Sequence, residues 1–347
     1  MNRARIGVVG CGFMGRLHAA TLAQATGGEL TAVFDADPAA AVRTAEAHGA
    51  RACTSLDELL AMDLDGVVVA TPDHAHRDSV VRAAQAGLGV LVEKPLATRL
   101  DDADAMIAAT YAAGVPLLVG HILRFETAYA NLREAVRAGV LGDLVSVYAR
   151  RHGLRGEADR FAGGTHVVDY LGVHDFDVLN WLRPARPVRV QAHQARGDVF
   201  DAYGTPDVVF SSLTFGDGSL AVVESGWTLP NAWGETRAPE AWGPFGDVRL
   251  DVFGRKGTAS LDLRTMNLVA VDAQGWRMPE TRHWPRLDGR VAGALREEID
   301  HFVRCLTTGE TPRSSGRTAR DAVAICRAVH RSLDQGGAVE VTDLEHR

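Results

Sequence analysis

Lysine is almost missing from this chain. Of its 37 basic residues only two are lysine, Lys94 and Lys256, which leaves 35 arginines among 347 residues. A chain this biased uses a guanidinium wherever any cation serves. A retained lysine therefore marks a need for what arginine lacks, a compact ammonium with a tunable proton affinity. Lys256 lies in a Gly-Arg-Lys-Gly turn and reads as an ordinary surface residue, whereas Lys94 follows the apolar run Val90-Leu91-Val92 and Glu93. Cysteine is scarce too. Cys11, Cys53, Cys305 and Cys326 show no C-x-x-C or zinc spacing, which excludes a disulfide scaffold and points to reduced thiols in a cytoplasmic protein. Excess positive charge is absent, and a net charge of −7 excludes sequence-independent binding to nucleic acid. No apolar run approaches the roughly 20 residues of a membrane-spanning helix, so no membrane partner is expected. Arg3 and Arg5 ahead of Ile6 to Gly10 imitate the start of a signal peptide. Gly10, Gly12 and Gly15 interrupt that run, and Arg16 and His18 follow at once, so the segment reads as part of the fold.

What is present points to two domains, divided as residues 1–120 and 121–347, in a chain that is 46% hydrophobic and 23% charged. In the first half, short apolar runs alternate with helical patterns. Ile6 to Val9, Leu30 to Phe34, Asp65 to Val69, Val90 to Glu93 and Pro116 to Val119 read as strands. Pro38 to His48, Arg77 to Ala86 and Asp102 to Ala113 read as helices, and Ser55 to Glu58 reads as the capping box of another. The expected fold class is α/β, with a doubly wound parallel sheet in the amino-terminal domain. The loop Gly10-Cys11-Gly12-Phe13-Met14-Gly15 follows the first strand and opens a helix. Asp35 ends the second strand, 20 residues past Gly15. Glycines let backbone approach a pyrophosphate, and a strand-end carboxylate at this spacing accepts hydrogen bonds from an adenosine ribose. A 2′-phosphate would meet the charge of Asp35, which favours NAD over NADP, although Arg43 lies a few residues on. Thirteen histidines include His74, His76 and His174, yet no third ligand stands at tight spacing and no metal is expected.

The motifs together resemble the Gfo/Idh/MocA oxidoreductases. The resemblance rests on the glycine loop, Ala-Thr-Pro with His76 four residues past Pro72, and Glu93-Lys94-Pro95. It rests also on Gly120-His121 with Arg124-Phe125, and on Gly172-Val173-His174-Asp175-Phe176-Asp177. It implies a Rossmann domain followed by an α+β domain with an open, mostly antiparallel sheet. It further implies that Lys94 stands beside the nicotinamide and the substrate hydroxyl, that His174 moves the hydroxyl proton, and that Thr71, Pro72, His76 and Glu93 line the cofactor with Gly10, Gly12, Phe13, Met14 and Gly15. Many members carry aspartate four residues before that histidine; here the position is Tyr170, with Asp169 displaced by one. On an α-helix Tyr170, His174, Asp177 and Trp181 share a face beside an apolar stripe of Leu171, Val178 and Leu182, while Asp169 points about 100° away. Tyr170 is therefore expected to take the aspartate's place as a partner for substrate, or else to serve only as packing, with Asp177 orienting His174.

In the second half, Tyr129 to Ala138 reads as a helix and Val145 to Arg151 as a strand ending in the basic Arg150-Arg151-His152, read as solvated. Gly153 to Thr165 reads as a loop over the active site, and Pro230 to Pro244, with Trp233 and Trp242, as a lid or subunit contact. Hairpins are expected at Val208–Ser225 and Val248–Leu263, and helices Ala294–Leu306 and Thr318–Leu333 complete the domain. An open sheet face predicts a homodimer or homotetramer. The reading as a whole is an NAD-dependent dehydrogenase that oxidises a secondary alcohol of a sugar, inositol or related polyol, with Arg124 a candidate for the substrate's hydroxyls. Two alternatives come with the resemblance, a glycoside hydrolase that uses tightly held NAD and a non-catalytic NAD-binding regulator.

Overall fold

The computed structural model of the chain describes residues 3–183, 185–231, 246–263, 270–272, 275–277 and 281–341. They form two compact units. The first comprises residues 1–126 and 282–320, the second residues 127–281 and 321–347.

The first unit holds a sheet of strands β1 (Ala4–Val9), β2 (Gly28–Phe34), β3 (Arg51–Ala52), β4 (Gly66–Val69), β5 (Gly89–Glu93) and β6 (Leu117–Gly120). Their order is β3-β2-β1-β4-β5-β6 and every pairing is parallel, so the doubly wound reading holds. Val67, Val68, Val69, Val90, Leu91 and Val92 are completely buried, because helices cover both faces and both sets of alternating side chains point into apolar surroundings. Helices Phe13–Ala23, Pro38–His48, Leu56–Leu60, His76–Gln85 and Leu100–Ala113 alternate with the strands. Ser55 caps its helix by accepting the Glu58 N–H at 3.1 Å. Glu58 reaches one residue beyond the expected box, to the Thr54 N–H at 2.7 Å. Helix Ala294–Thr308, expected to complete the second domain, instead packs here. Its Leu306 fills the space where a side chain on Gly89 would stand, with a Cβ there only 2.3 Å from Leu306 Cδ2.

The second unit is built on a mixed sheet of β7 (Leu144–Leu154), β8 (Pro187–Ala195), β9 (Val208–Phe215), β10 (Leu220–Leu229), β11 (Asp247–Gly254), β12 (Thr258–Asp262) and the terminal strand Val339–Glu340. The order is β12-β11-β7-β10-β9-β8-terminal strand, and only the β7–β10 pair is parallel. One face buries Val147, Ala149, Ala221, Val223, Val209, Leu213, Val248 and Leu250. The opposite face carries a cross-strand row of Asp262, Arg249, Arg150, Glu224, Phe210 and His193.

Two local expectations change. Arg151 and His152 are not a solvated strand end: each is 7% exposed. Arg151 makes a bidentate pair with Asp175 at 2.8 and 2.9 Å and also reaches Tyr129 Oη, while His152 lies between Thr228 and Glu224. Residues 153–165 are not a continuous loop either. Strand β7 runs to Leu154, and Arg155–Phe161 is helical. The expected lid around Trp233 and Trp242 lies outside the described residues.

Removing the carboxylate that neutralises a buried guanidinium should be costly. Asp175→Ala should lower unfolding stability by about 3–5 kcal/mol, and the double replacement Arg151→Met/Asp175→Leu should recover most of that loss. Urea denaturation measures both, and a neutral Asp175→Ala would remove the pair from the stability argument.

Candidate active site

The order of strands in the first unit reverses between β1 and β4, and Val9 stands level with Phe34 on one side and Val69 on the other. The segments that leave β1, β2, β4 and β5 therefore share one edge of this sheet, the crevice where open α/β sheets bind ligands. Gly10 has φ +93°, and a Cβ there would come within 2.7 Å of the Ala70 backbone. A Cβ on Gly15 would strike the Gly10 carbonyl oxygen at 1.8 Å, whereas one on Gly12 would meet nothing within 4 Å. Two glycines thus close the turn and the third leaves its outer side open. The helix beginning at Phe13 has Gly12 at its N-cap, no side-chain cap and no acidic residue in its first turn. Its leading N–H groups and partial positive charge suit a phosphate. Asp35 Oδ2 accepts the Cys11 N–H at 2.6 Å and Oδ1 the Asp37 N–H at 2.7 Å, which pins the end of β2 to the glycine loop. A carboxylate has lone pairs beyond these two for ribose hydroxyls. Arg43 pairs with Asp37 at 3.6 Å. Met14 is half-buried, and Phe13 stands edge-on to Trp284 with ring centroids 5.7 Å apart. The open cradle, the uncapped helix and the strand-end carboxylate fit a dinucleotide.

At the ends of β4 and β5 the structure is more specific than the motif. His76 was read as a cofactor contact, yet it is 1% exposed. Its Nε2 stands 3.0 Å from the Thr71 carbonyl oxygen and its Nδ1 3.1 Å from that of Pro95, so the ring fills the space between the two turns and, when neutral, donates to one of them. Burial lowers its proton affinity. Thr71 is half-buried, Pro72 is exposed, and Lys94, half-buried, precedes a cis peptide to Pro95.

Glu93 is not displayed along the edge but turned inward, 8% exposed. Its Oε1 stands 2.7 Å from His18 Nε2, and its Oε2 accepts the Lys94 backbone N–H at 3.2 Å. Gly120 on β6 leaves room for this carboxylate, since a Cβ there would lie 3.3 Å from Oε2. Glu298, 1% exposed, completes a cluster in which one polar atom from each of His18, Glu93 and Glu298 lies within 4.8 Å of the others. Two ionised carboxylates that close would repel by roughly 3 kcal/mol at an effective dielectric of about 20. The pair resolves this by dividing the roles. Burial pulls the Glu93 carboxyl upward, but the His18 contact and the Lys94 charge outweigh it and hold the group below its usual range. Burial and the Glu93 charge push Glu298 well above it. Sequence reasoning missed both partners of Glu93. The signal was there for Glu298: Leu295, Glu298, Ile299 and Phe302 fall on one helix stripe, and all four are buried.

Arg124 does not stand as a substrate group. It is 2% exposed, and its guanidinium donates to the Arg313 carbonyl oxygen at 2.7 Å while Arg313 donates back to the Arg124 carbonyl oxygen at 3.2 Å. This exchange fastens residues after β6 to the turn before the last helix.

In the second unit the helix wheel that grouped Tyr170 with His174 needs revision. Val168–Gly172 is a π-helical turn, followed by the α-helix Val173–Leu182. A π turn inserts one residue and breaks 100° periodicity, and such turns concentrate at functional sites. Asp169 is 8% exposed and receives Arg327 at 2.5 Å and His330 at 2.8 Å, both from the last helix, Gly316–Gln335. Tyr170 goes elsewhere. It stacks on Trp227 (5.2 Å, 28°), meets Phe161 edge-on at 4.8 Å, and its hydroxyl accepts from Arg160 at 3.2 Å. His174 is half-buried on the helix that follows, and Asp177 is 1% exposed. His166, beside His330, is pushed down to about 4 by burial and by its neighbour's charge. Neither His74 nor His174 belongs to the two His/Asp/Glu groupings close enough to hold a cation among the described residues.

The likeness to known proteins agrees with this architecture. Residues 4–121 match the family model of an oxidoreductase family with an NAD-binding Rossmann fold, and residues 129–260 match the GFO/IDH/MocA C-terminal domain. Inositol 2-dehydrogenase 1 of Saccharopolyspora erythraea is 32% identical, over 97% of this chain and 96% of that protein. D-apiose dehydrogenase of Paraburkholderia graminis is 29% identical, over 99% of this chain and 92% of that protein. The solved structure of scyllo-inositol dehydrogenase from Lactobacillus casei with bound NAD(H) and scyllo-inositol superimposes with a TM-score of 0.84. It covers 99% of this chain and all of that one at 19% identity, and so shares the fold. With its glycine cradle, its strand-end Asp35 and both domain models matched in order, the chain belongs to the Gfo/Idh/MocA family of NAD-binding oxidoreductases.

Proposed function

We propose that this oxidoreductase removes hydride from a secondary alcohol of a sugar, inositol or related polyol and leaves a ketone. The observation that carries the reading is the place of Lys94. The chain's one strand-end lysine follows β5, on the same sheet edge as the glycine cradle and Asp35. NAD, when bound, supplies a nicotinamide carbon that accepts hydride. The chain's own residues handle the proton. The Lys94 ammonium polarises the substrate oxygen, and its backbone is held by the inward-turned Glu93. His174, a half-buried imidazole, is assigned the hydroxyl proton by its match to the family motif. Buried Trp227 backs the half-buried Tyr170 ring, and Arg160 holds its hydroxyl, so a fixed aromatic and polar side chain is available to a ring carrying many hydroxyls. The relatives named for inositol and D-apiose support that substrate class.

The remaining parts of the proposal concern assembly and setting. The open face of the second unit's sheet, with Phe210 42% exposed among charged neighbours, is the surface we assign to a homodimer or homotetramer. Four buried, unpaired cysteines support a reducing, cytoplasmic setting, and no helix among the described residues is long and apolar enough to cross a membrane.

Four experiments test these assignments. Lys94→Ala should lower kcat by about 10²–10⁴-fold while NAD affinity stays within a few fold; unaltered turnover removes the lysine from the mechanism. A screen of polyols that produces no NADH signal with the unaltered enzyme would favour the hydrolase alternative if a glycoside is cleaved instead. Asp35→Ala should weaken NAD binding and narrow its preference over NADP, measured by titration with both cofactors, and an unchanged ratio refutes the ribose assignment. Phe210→Glu should shift the mass measured by light scattering toward the monomer, and an unchanged oligomer places the interface elsewhere.

A further inference from the structure

We propose that Glu298 is a positioning residue that carries a proton at neutral pH, and that it locks the buried Glu93–His18 pair so that Glu93 can hold the Lys94 turn. The proposal rests on the assignment of Lys94 above and names the device that keeps that lysine in place. It starts from an accounting of buried polar atoms. His18 Nε2 is used by Glu93, but His18 Nδ1 and Glu298 Oε2 have no hydrogen-bond partner among the described residues, and the His18 side chain is completely buried. Buried polar groups without partners are rare enough that each calls for an explanation. Within the cluster, all of whose members lie within 4.8 Å, the donors are unevenly shared. Glu93 has the imidazole and the Lys94 N–H, and it feels the Lys94 charge; Glu298 has none of these.

An ionised Glu298 would therefore be an uncompensated charge in an apolar interior beside a second carboxylate. A protonated one is a neutral donor. Its O–H answers the unfilled acceptor capacity of the Glu93–His18 pair, and the cluster then holds one carboxylate charge rather than two. The shifts already described run the same way, Glu298 up and Glu93 down. The consequence reaches Lys94 through a single rigid link. Glu93 is the last residue of β5, its carboxylate bonds the amide of the next residue, and Gly120 boxes it from the neighbouring strand. A Glu93 side chain that loses its buried donor is free to turn, and the lysine's backbone turns with it.

The alternative occupant of such a cluster is a divalent cation bound by two carboxylates and an imidazole. That arrangement needs both glutamates ionised, and it sets a positive ion next to the Lys94 charge.

The test uses full-length protein. Infrared difference spectra between the unaltered protein and Glu298→Gln at neutral pH should show the carbonyl band of one protonated carboxyl that disappears on substitution. Absence of that band overturns the proposal. Glu298→Leu should reduce kcat by about ten- to a hundredfold with NAD affinity nearly unchanged, as expected of a misplaced catalytic group. Glu298→Gln, which keeps a donor without charge, should restore most of that loss. Equal damage from Gln and Leu means that the charge is needed and overturns the proposal, as does a Leu variant with unaltered kcat. One equivalent of divalent metal in purified protein, lost in Glu298→Gln, would assign the cluster to a cation instead. Should Glu298→Leu fail to fold, the infrared band and the Gln variant still decide. If Lys94→Ala keeps its turnover, the catalytic reading fails while the protonated carboxyl remains to be seen or not.

Discussion

A sheet of parallel strands sealed by helices on both faces can present polar chemistry only where its strands stop. That constraint organises the first unit. Val67 to Val69 and Val90 to Val92 admit no polar group, so the glycine loop, Asp35, Thr71 and Lys94 collect along one edge. Glu93 sits at the boundary itself, the last residue of its strand and still inside the unit. A carboxylate in that place must find its partners in the interior, and it finds them in His18 and in the amide of Lys94. The residue that holds the lysine and the residue that resembles a cofactor contact are thus the same one, seen from opposite sides.

The edge is stiffened by further links of this kind. Asp35 pins β2 to the glycine loop, His76 stands between the turns after β4 and β5, and Arg124 and Arg313 exchange hydrogen bonds across 189 residues of sequence. Each of these polar side chains bonds backbone from another segment, and Asp35 keeps further lone pairs for the ribose. Positioning groups of this kind set the geometry of the few that do the chemistry, which is how a rigid scaffold supports a reactive rim.

The second unit follows another rule: among the described residues one face of its sheet is buried, while the other exposes Phe210 and Leu220. Its inward positions are mostly apolar, and the charged one among them, Arg151, is neutralised by Asp175. The π turn at Val168–Gly172 lies where Asp169 and Tyr170 fall, and it breaks the helical periodicity there. It sends Asp169 to Arg327 and His330 while Tyr170 stacks on Trp227. Whether a motif with an extra residue has lost a group or redirected it depends on such a turn, and no spacing rule shows it.

Sequence alone determined what is decided locally. The alternation of strands and helices, the glycine spacing, the strand-end aspartate and the conspicuous lysine all depend on residues within a few positions of one another, and each stands where its pattern placed it. Only the tertiary structure decided the partners. Arg151 and His152 look like a solvated strand end until Asp175, Thr228 and Glu224 arrive from other elements, and Arg124 looks available until Arg313 takes it. Glu298 lies 205 positions from Glu93, and its apolar helix stripe announces burial but not the partner it meets there. Secondary structure follows from short-range sterics and periodicity, whereas burial and the sharing of protons depend on which distant groups the fold brings within a few ångströms.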